Sequence, residues 1–208
     1  MDNKYGIDTQ TKIELKDLNI NSTNVKNGER YQATKVIFLK KLLNNIKPII
    51  PDSPVLVDLG CGKGRVLLVA SEFGFREVRG VEFAHELCET AKDNIVKYKI
   101  RGKRDSVFRV IESDAALYKI QKDENVLFIF NSFDDMIMAQ VLQNIAASIQ
   151  EKMREVIIIY HNPKYDNLIK SFEGFMKVRE YNFGYTFTVY SNILKKEIEN
   201  IKSKTSEV

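Results

Sequence analysis

The chain has 208 residues, 44% apolar and 29% charged, with 32 basic and 28 acidic side chains and a net charge of +4. This is core enough for one domain, and it excludes wholesale disorder. No apolar run approaches the roughly 20 residues needed to cross a bilayer, Met1 to Gln10 lacks the apolar centre of a secretory signal, and two cysteines, Cys61 and Cys88, cannot make a disulfide framework, so a cytoplasmic protein is expected.

Residues 1–30, with Gly6, Asn19, Asn21, Asn24, Asn27 and Gly28, read as an N-terminal extension with little regular structure. Tyr31 to Lys47 is predicted helical: Phe38, Leu39, Leu42, Leu43 and Ile46 form an apolar stripe, and Pro48 follows. Strands and helices then alternate. Val55 to Leu59 is a strand ending at Gly60, and Arg65 to Phe73 a helix stopped by Gly74. Val78 to Glu82 is a strand, Ala84 to Tyr98 a helix with Leu87, Ala91 and Ile95 at four-residue spacing, and Val107 to Ile111 a strand. Asn125 to Phe130 is a continuous apolar strand of the kind found in a parallel sheet. Asp134 to Gln150 is a helix striped by Met138, Leu142, Ile145 and Ile149, and Glu155 to Tyr160 is a buried strand followed by Asn162-Pro163 and a short helix. Phe175 to Tyr181 and Tyr185 to Ile193, linked through Asn182 and Gly184, form an antiparallel hairpin. Residues 195–208 are a polar tail.

The expected organisation is an extension (1–30), one domain (31–194) and a tail (195–208). The expected fold is doubly wound α/β, a seven-stranded, mostly parallel sheet with a C-terminal antiparallel hairpin. Such sheets bind ligands beyond the carboxyl ends of their strands.

After the first strand comes Asp58-Leu59-Gly60-Cys61-Gly62-Lys63-Gly64-Arg65. A phosphate-binding P-loop needs four residues before its Gly-Lys pair and then a hydroxyl residue; Gly60 is too close and Gly64 replaces the hydroxyl. A dinucleotide fingerprint needs its third glycine where Arg65 stands, and Asp58 would repel a pyrophosphate. S-adenosylmethionine carries a sulfonium and an ammonium and no phosphate, so a carboxylate beside the loop favours it. The bland alternative is a ligand-free glycine turn with Asp58 as a cap; three glycines argue for close backbone approach instead. Glu82, 22 residues past Gly60, is suited to accept from ribose hydroxyls, or to cap the next helix. Asp114 in Glu112-Ser113-Asp114-Ala115 is a candidate for the adenine amino group, or a cap.

In Asn131-Ser132-Phe133, Asn131 is the candidate group for aligning a methyl acceptor; the rival reading is a capping box of Ser132 with Asp135. Tyr160 and His161 are rim candidates, and His161 reads equally as a surface residue. His85 and Cys88 lie three apart on a helix, but nothing nearby completes a metal site, and none is expected. The basic cluster Lys97, Lys99, Arg101, Lys103 and Arg104 reads as a solvated loop, with an anionic partner as the sharper alternative.

These residues resemble a class I (seven-strand, Rossmann-type) S-adenosylmethionine methyltransferase from about Tyr31 to Ile193: the glycine loop, Gly80-Val81-Glu82-Phe83, Ser113-Asp114-Ala115 and the hairpin ending carry the likeness. The Gly-Lys-Gly-Arg form and Tyr5-Gly6-Ile7-Asp8-Thr9 resemble a group of bacterial methyltransferases. Tyr31-Gln32-Ala33-Thr34 is similar to a Tyr-x-x-Thr element of small seven-strand lysine methyltransferases, which implies that Tyr31 and Thr34 help hold the methionine end. Amino-methylating members often carry Asn/Asp-Pro-Pro-Tyr/Phe after the fourth strand; Asn131-Ser132-Phe133 lacks the prolines, which argues against a DNA adenine target. The leading expectation is a methyltransferase whose donor is bound by Tyr31, Thr34, Asp58, Gly60, Gly62, Glu82 and Asp114, ahead of a non-catalytic binding module and an NAD-linked oxidoreductase. With no added recognition domain in view, a small molecule or an exposed protein side chain is favoured over a nucleic acid as the acceptor, and no membrane is involved.

Overall fold

The computed structural model describes residues 1–11, 13, 33–102, 106–130, 133–172 and 174–192. In chain order the helices are α1 (Asp2–Tyr5), α2 (Val36–Ile46), α3 (Arg65–Ala70), α4 (His85–Gly102), α5 (Asp135–Glu151) and α6 (Asp166–Ser171), with a 3-10 turn at Lys47–Ile49 after α2. The strands are β1 (Val55–Leu59), β2 (Glu77–Glu82), β3 (Val107–Glu112), β4 (Val126–Phe130), β5 (Ile157–His161), β6 (Met176–Asn182) and β7 (Thr186–Ser191).

The strands form one sheet in the order β3-β2-β1-β4-β5-β7-β6. The first five pair in parallel, and β7 runs antiparallel between β5 and β6. The hairpin expectation holds, with β7 turned inward. Every residue of β1 and β5 is buried, as in a strand covered on both faces. One face carries Leu56, Phe128, Ile159 and Phe187 against Leu39, Leu42, Leu43 and Ile46 of α2 and the apolar residues of α3. The other carries Val57, Leu59, Leu127, Ile129 and Ile158 against Met138, Val141, Leu142 and Ile145 of α5. The stripe spacing of α2 and α5 produced these contacts, since residues three and four apart share a helix face. The chain reverses direction of winding between β1 and β4, and the carboxyl ends of β1, β2 and β4 meet there.

Several boundaries differ from expectation. Met1 to Gln10 contains the short helix α1, and Tyr5 and Ile7 are buried in the core beneath α4, with the Tyr5 ring 4.6 Å from that of Tyr98. A run of four helical residues is too short for periodicity to register. Helix α2 begins at Val36 with Lys35 extended before it, so Thr34 precedes the helix. Helix α4 continues to Gly102, so Lys97, Lys99 and Arg101 stand on its final turns and not in a loop. Lys97 pairs with Asp93 at 2.5 Å. Helix α5 is capped by Asp134, whose side chain accepts from the Ile137 amide at 2.9 Å; the expected capping box of Ser132 with Asp135 falls partly outside the described residues. Tyr31, Asn131, Ser132, Lys103, Arg104 and the tail 195–208 lie outside the described residues.

Candidate active site

The loop from β1 to α3 turns on three glycines with positive φ: Gly60 at 89°, Gly62 at 51° and Gly64 at 81°. That left-handed backbone is costly for any residue with a Cβ, which accounts for the glycine spacing. The amides of Gly60 and Cys61 both donate to the Val81 carbonyl, at 2.8 and 3.0 Å, and Gly64 donates back to Cys61 at 2.9 Å. The loop therefore lies across the end of β2. A Cβ on Gly80, in the middle of β2, would sit 2.5 Å from Cys61 Sγ and 2.8 Å from Leu67 Cδ1, so only glycine lets the loop lie this close.

Glu82 ends β2. Its Oε2 accepts from the Gly62 amide at 2.9 Å, and its Oε1 accepts from the amides of Phe83 and Ala84 at 3.0 Å each. It thus ties the glycine loop to the start of α4, and the capping alternative is realised in part. Burial raises its pKa against those three donors. Asp58, on the neighbouring strand, is 2% exposed, and among the described residues no donor reaches its carboxylate. Burial, and then the charge of Glu82, push its pKa well above the ordinary value. Two adjoining buried carboxylates disfavour a further negative charge and would favour a cationic ligand.

Side chains alternate along a strand, so Asp58 faces the same side as Leu56, and Phe130 and His161 face the side of Phe128 and Ile159. Asp58, Phe130 and His161 therefore share the α2-facing side of the sheet near its carboxyl edge. His161 is 1% exposed, which corrects the reading of a surface residue. Its ring stacks between Phe130 and Phe187, with centroids 4.3 Å away on each side, and meets the edge of Tyr185 at 5.4 Å. Nδ1 lies 3.0 Å from the Thr34 hydroxyl, and Nε2 is buried with no partner among the described residues. Burial lowers the His161 pKa to about 4, so the ring is neutral at physiological pH. Thr34, itself buried, is thus delivered to the sheet edge by a residue 127 positions away.

Asp114 follows β3, and the Ser113 amide donates to the Glu82 carbonyl at 2.9 Å, which brings this turn beside Glu82. Its Oδ1 accepts from the Ala116 amide at 2.8 Å, so Asp114 also caps its own turn. The structure brings Thr34, Asp58, Gly60, Gly62, Glu82 and Asp114 to one end of the sheet; Tyr31 and Asn131 lie outside the described residues. Sequence reasoning missed the stacking partners of His161 and the anchoring of Lys63 and Arg65; the two flanking cations within a glycine loop were the available signal.

Cys61 and Cys88 are buried, with pKa values pushed up first by burial, that of Cys88 to about 12, so neither is an activated thiol. His85 pairs instead with Glu112 at 2.8 Å. Among the described residues no group of three His, Cys, Asp or Glu is placed to hold a metal.

Sheet order, glycine loop and the buried carboxylates beside it define a class I, Rossmann-type methyltransferase that uses S-adenosylmethionine. The sequence matches the family described as histone methylation protein DOT1 over residues 10–183, and the chain belongs to that family. A search of curated proteins finds no match. Among solved structures, the fold is similar to an RNA methyltransferase from Salinibacter ruber in complex with S-adenosyl-L-homocysteine (TM-score 0.55, 17% identity, 79% of this chain and 97% of that one). It is also similar to magnesium protoporphyrin IX methyltransferase from Synechocystis PCC 6803 with bound S-adenosylmethionine (TM-score 0.53, 14% identity, 77% of this chain and 85% of that one). A protein from Pyrococcus horikoshii OT3 gives TM-score 0.53 at 17% identity, over 83% of this chain and 93% of that one.

Proposed function

We propose that this methyltransferase acts on an exposed amino group of a protein side chain. The observation that carries the cofactor part of this reading is the buried Asp58 carboxylate, which has no donor among the described residues and lies against Glu82 and the glycine loop. The donor's ammonium and sulfonium are the charges such a pair of carboxylates would favour. Asp58 and Thr34, with Tyr31, would hold the methionine end. Gly60 and Gly62 would allow close approach, Glu82 would accept from the ribose hydroxyls, and Asp114 would accept from the adenine amine. Bound there, S-adenosylmethionine supplies an electrophilic methyl group.

The protein-side-chain acceptor is supported by the family, described by histone methylation, and by the Tyr-x-x-Thr element. Asn131 directly follows β4, and its carboxamide would accept from the target amine and align its lone pair. A protonated amine must shed a proton before it can attack. A dry site favours the neutral amine, so burial by this rim does part of that work, and orientation supplies much of the remaining rate. A cytoplasmic setting fits the two free cysteines and agrees with the finding that, among the described residues, no helix is long and apolar enough to cross a membrane.

Incubation of cell extract with methyl-labelled donor, followed by fractionation, tests the acceptor. Label in protein, recovered as methylated lysine after hydrolysis and lost in Asn131→Ala, is the expected result. Label confined to nucleic acid or to small molecules overturns the assignment.

A further inference from the structure

Two short runs of sequence are left unused by the cofactor site: Tyr5-Gly6-Ile7-Asp8-Thr9, and the cations Lys63 and Arg65 on either side of Gly64. The fold interlocks them. Lys63 is 2% exposed, and its Nζ donates to Asp8 Oδ2 at 2.6 Å. Arg65 donates from Nε to the Thr9 hydroxyl and from one terminal nitrogen to the Thr9 carbonyl, both at 2.8 Å. Its other terminal nitrogen donates to the Thr34 carbonyl at 3.2 Å. Asp2 receives the Thr9 amide and hydroxyl at 2.8 and 2.9 Å, and stands 3.8 Å from Arg65. Asn94 of α4 closes the ring: its Nδ2 donates to the carbonyls of Asp8 and Lys63, and its Oδ1 accepts from the Asp8 amide.

The rest of the first motif seats this lock. Tyr5 packs on Tyr98, and Ile7 is in the core. Gly6 lies so near Arg101 that a Cβ would come within 2.0 Å of its guanidinium. All five residues, 5–9, thus have an assigned contact with α3, α4 or the core.

We infer that residues 5–9 form a clasp that holds the glycine loop in its cofactor-ready conformation, with Lys63 and Arg65 as positioning residues that act on the cofactor through the loop. A loop with three left-handed glycines has large conformational freedom to lose. Restraining it before the ligand arrives removes that loss from the binding step. The two restrained residues bracket Gly64, and Lys63 adjoins Gly62, whose amide reaches Glu82, so slack at either end would loosen the contacts facing the donor. Arg65 also couples the clasp to the segment bearing Thr34.

This inference rests on the cofactor reading, and titration calorimetry of the full chain with S-adenosylhomocysteine separates the two. If the unaltered protein gives no binding heat, the cofactor reading itself fails. If it binds, Asp8→Ala and Thr9→Val should each weaken binding at least fivefold, and Asp8→Glu should return it to within twofold. Hydrogen exchange at the amides of residues 60–65 should quicken in the same two variants. Binding within twofold of the unaltered protein in folded Asp8→Ala, or unchanged exchange, overturns the clasp. Should Asp8→Ala not fold, Thr9→Val, which removes one hydroxyl, decides the question on the same measurements.

Discussion

Asp58 and His161 are buried polar groups held for different reasons. The Asp58 pKa is raised, so above the unfolded-state value near 3.8 its charge opposes folding, and increasingly so as pH rises toward the folded value. Asp58→Asn should therefore raise the melting temperature of the ligand-free chain by a few degrees, about 1–2 kcal/mol, while weakening S-adenosylmethionine binding by on the order of a hundredfold. Binding to the unaltered chain should tighten as pH rises and Asp58 ionises; scanning calorimetry and titration calorimetry across pH check both. His161 runs the other way. Its pKa falls from 6.5 to about 4, so between those values the unfolded chain takes up a proton that the folded chain refuses. Stability is fully present above pH 6.5 and is lost as pH falls through the window, by about 3 kcal/mol at most. In His161→Phe, urea unfolding at pH 7 and at pH 4.5 should show a smaller difference than in the unaltered protein. Asp58 was legible in the sequence because it neighbours the glycines; the burial of His161 was not, because its stacking rings come from β4 and β7.

Among the elements, β2 carries two duties: Glu82 at its end receives the loop, and Gly80 leaves room for Cys61. Gly80→Ala must displace Cys61 and Leu67 together, and should cost about 2–3 kcal/mol with a parallel loss of donor affinity, read by thermal unfolding and calorimetry. The strands were legible because β-branched, apolar runs ending in turn residues mark them, and β1 falls on its expected bounds, Val55–Leu59. Helix ends were less so. The start of α2 at Val36 and the extension of α4 to Gly102 are not marked by local propensity.

Across the molecule as one body, the end of the sheet opposite the site is held by charge. Arg79 donates to Glu77, Asp123 and Glu124 at 2.8–3.0 Å, and Glu124 also accepts from the Tyr118 hydroxyl at 2.6 Å. Arg79→Ala leaves the buried Glu124 carboxylate without its ion-pair partner, while Glu77 keeps Arg109 and Asp123 keeps Arg76, and should destabilise by about 3–5 kcal/mol. Donor affinity of the folded fraction should remain unchanged, as denaturant titration alongside calorimetry would show. That outcome would separate the candidate site from the stabilising end by mutation.

The order of strands and helices, the antiparallel ending and the glycine loop with its carboxylates could all be read along the chain, because periodicity and turn chemistry are local properties carried by neighbouring residues. Which polar groups would be buried, and what would meet them, could not: Asp8 finds Asn94 across 86 positions and Thr34 finds His161 across 127, and such pairings exist only once the sheet has closed and water has been expelled from between its layers.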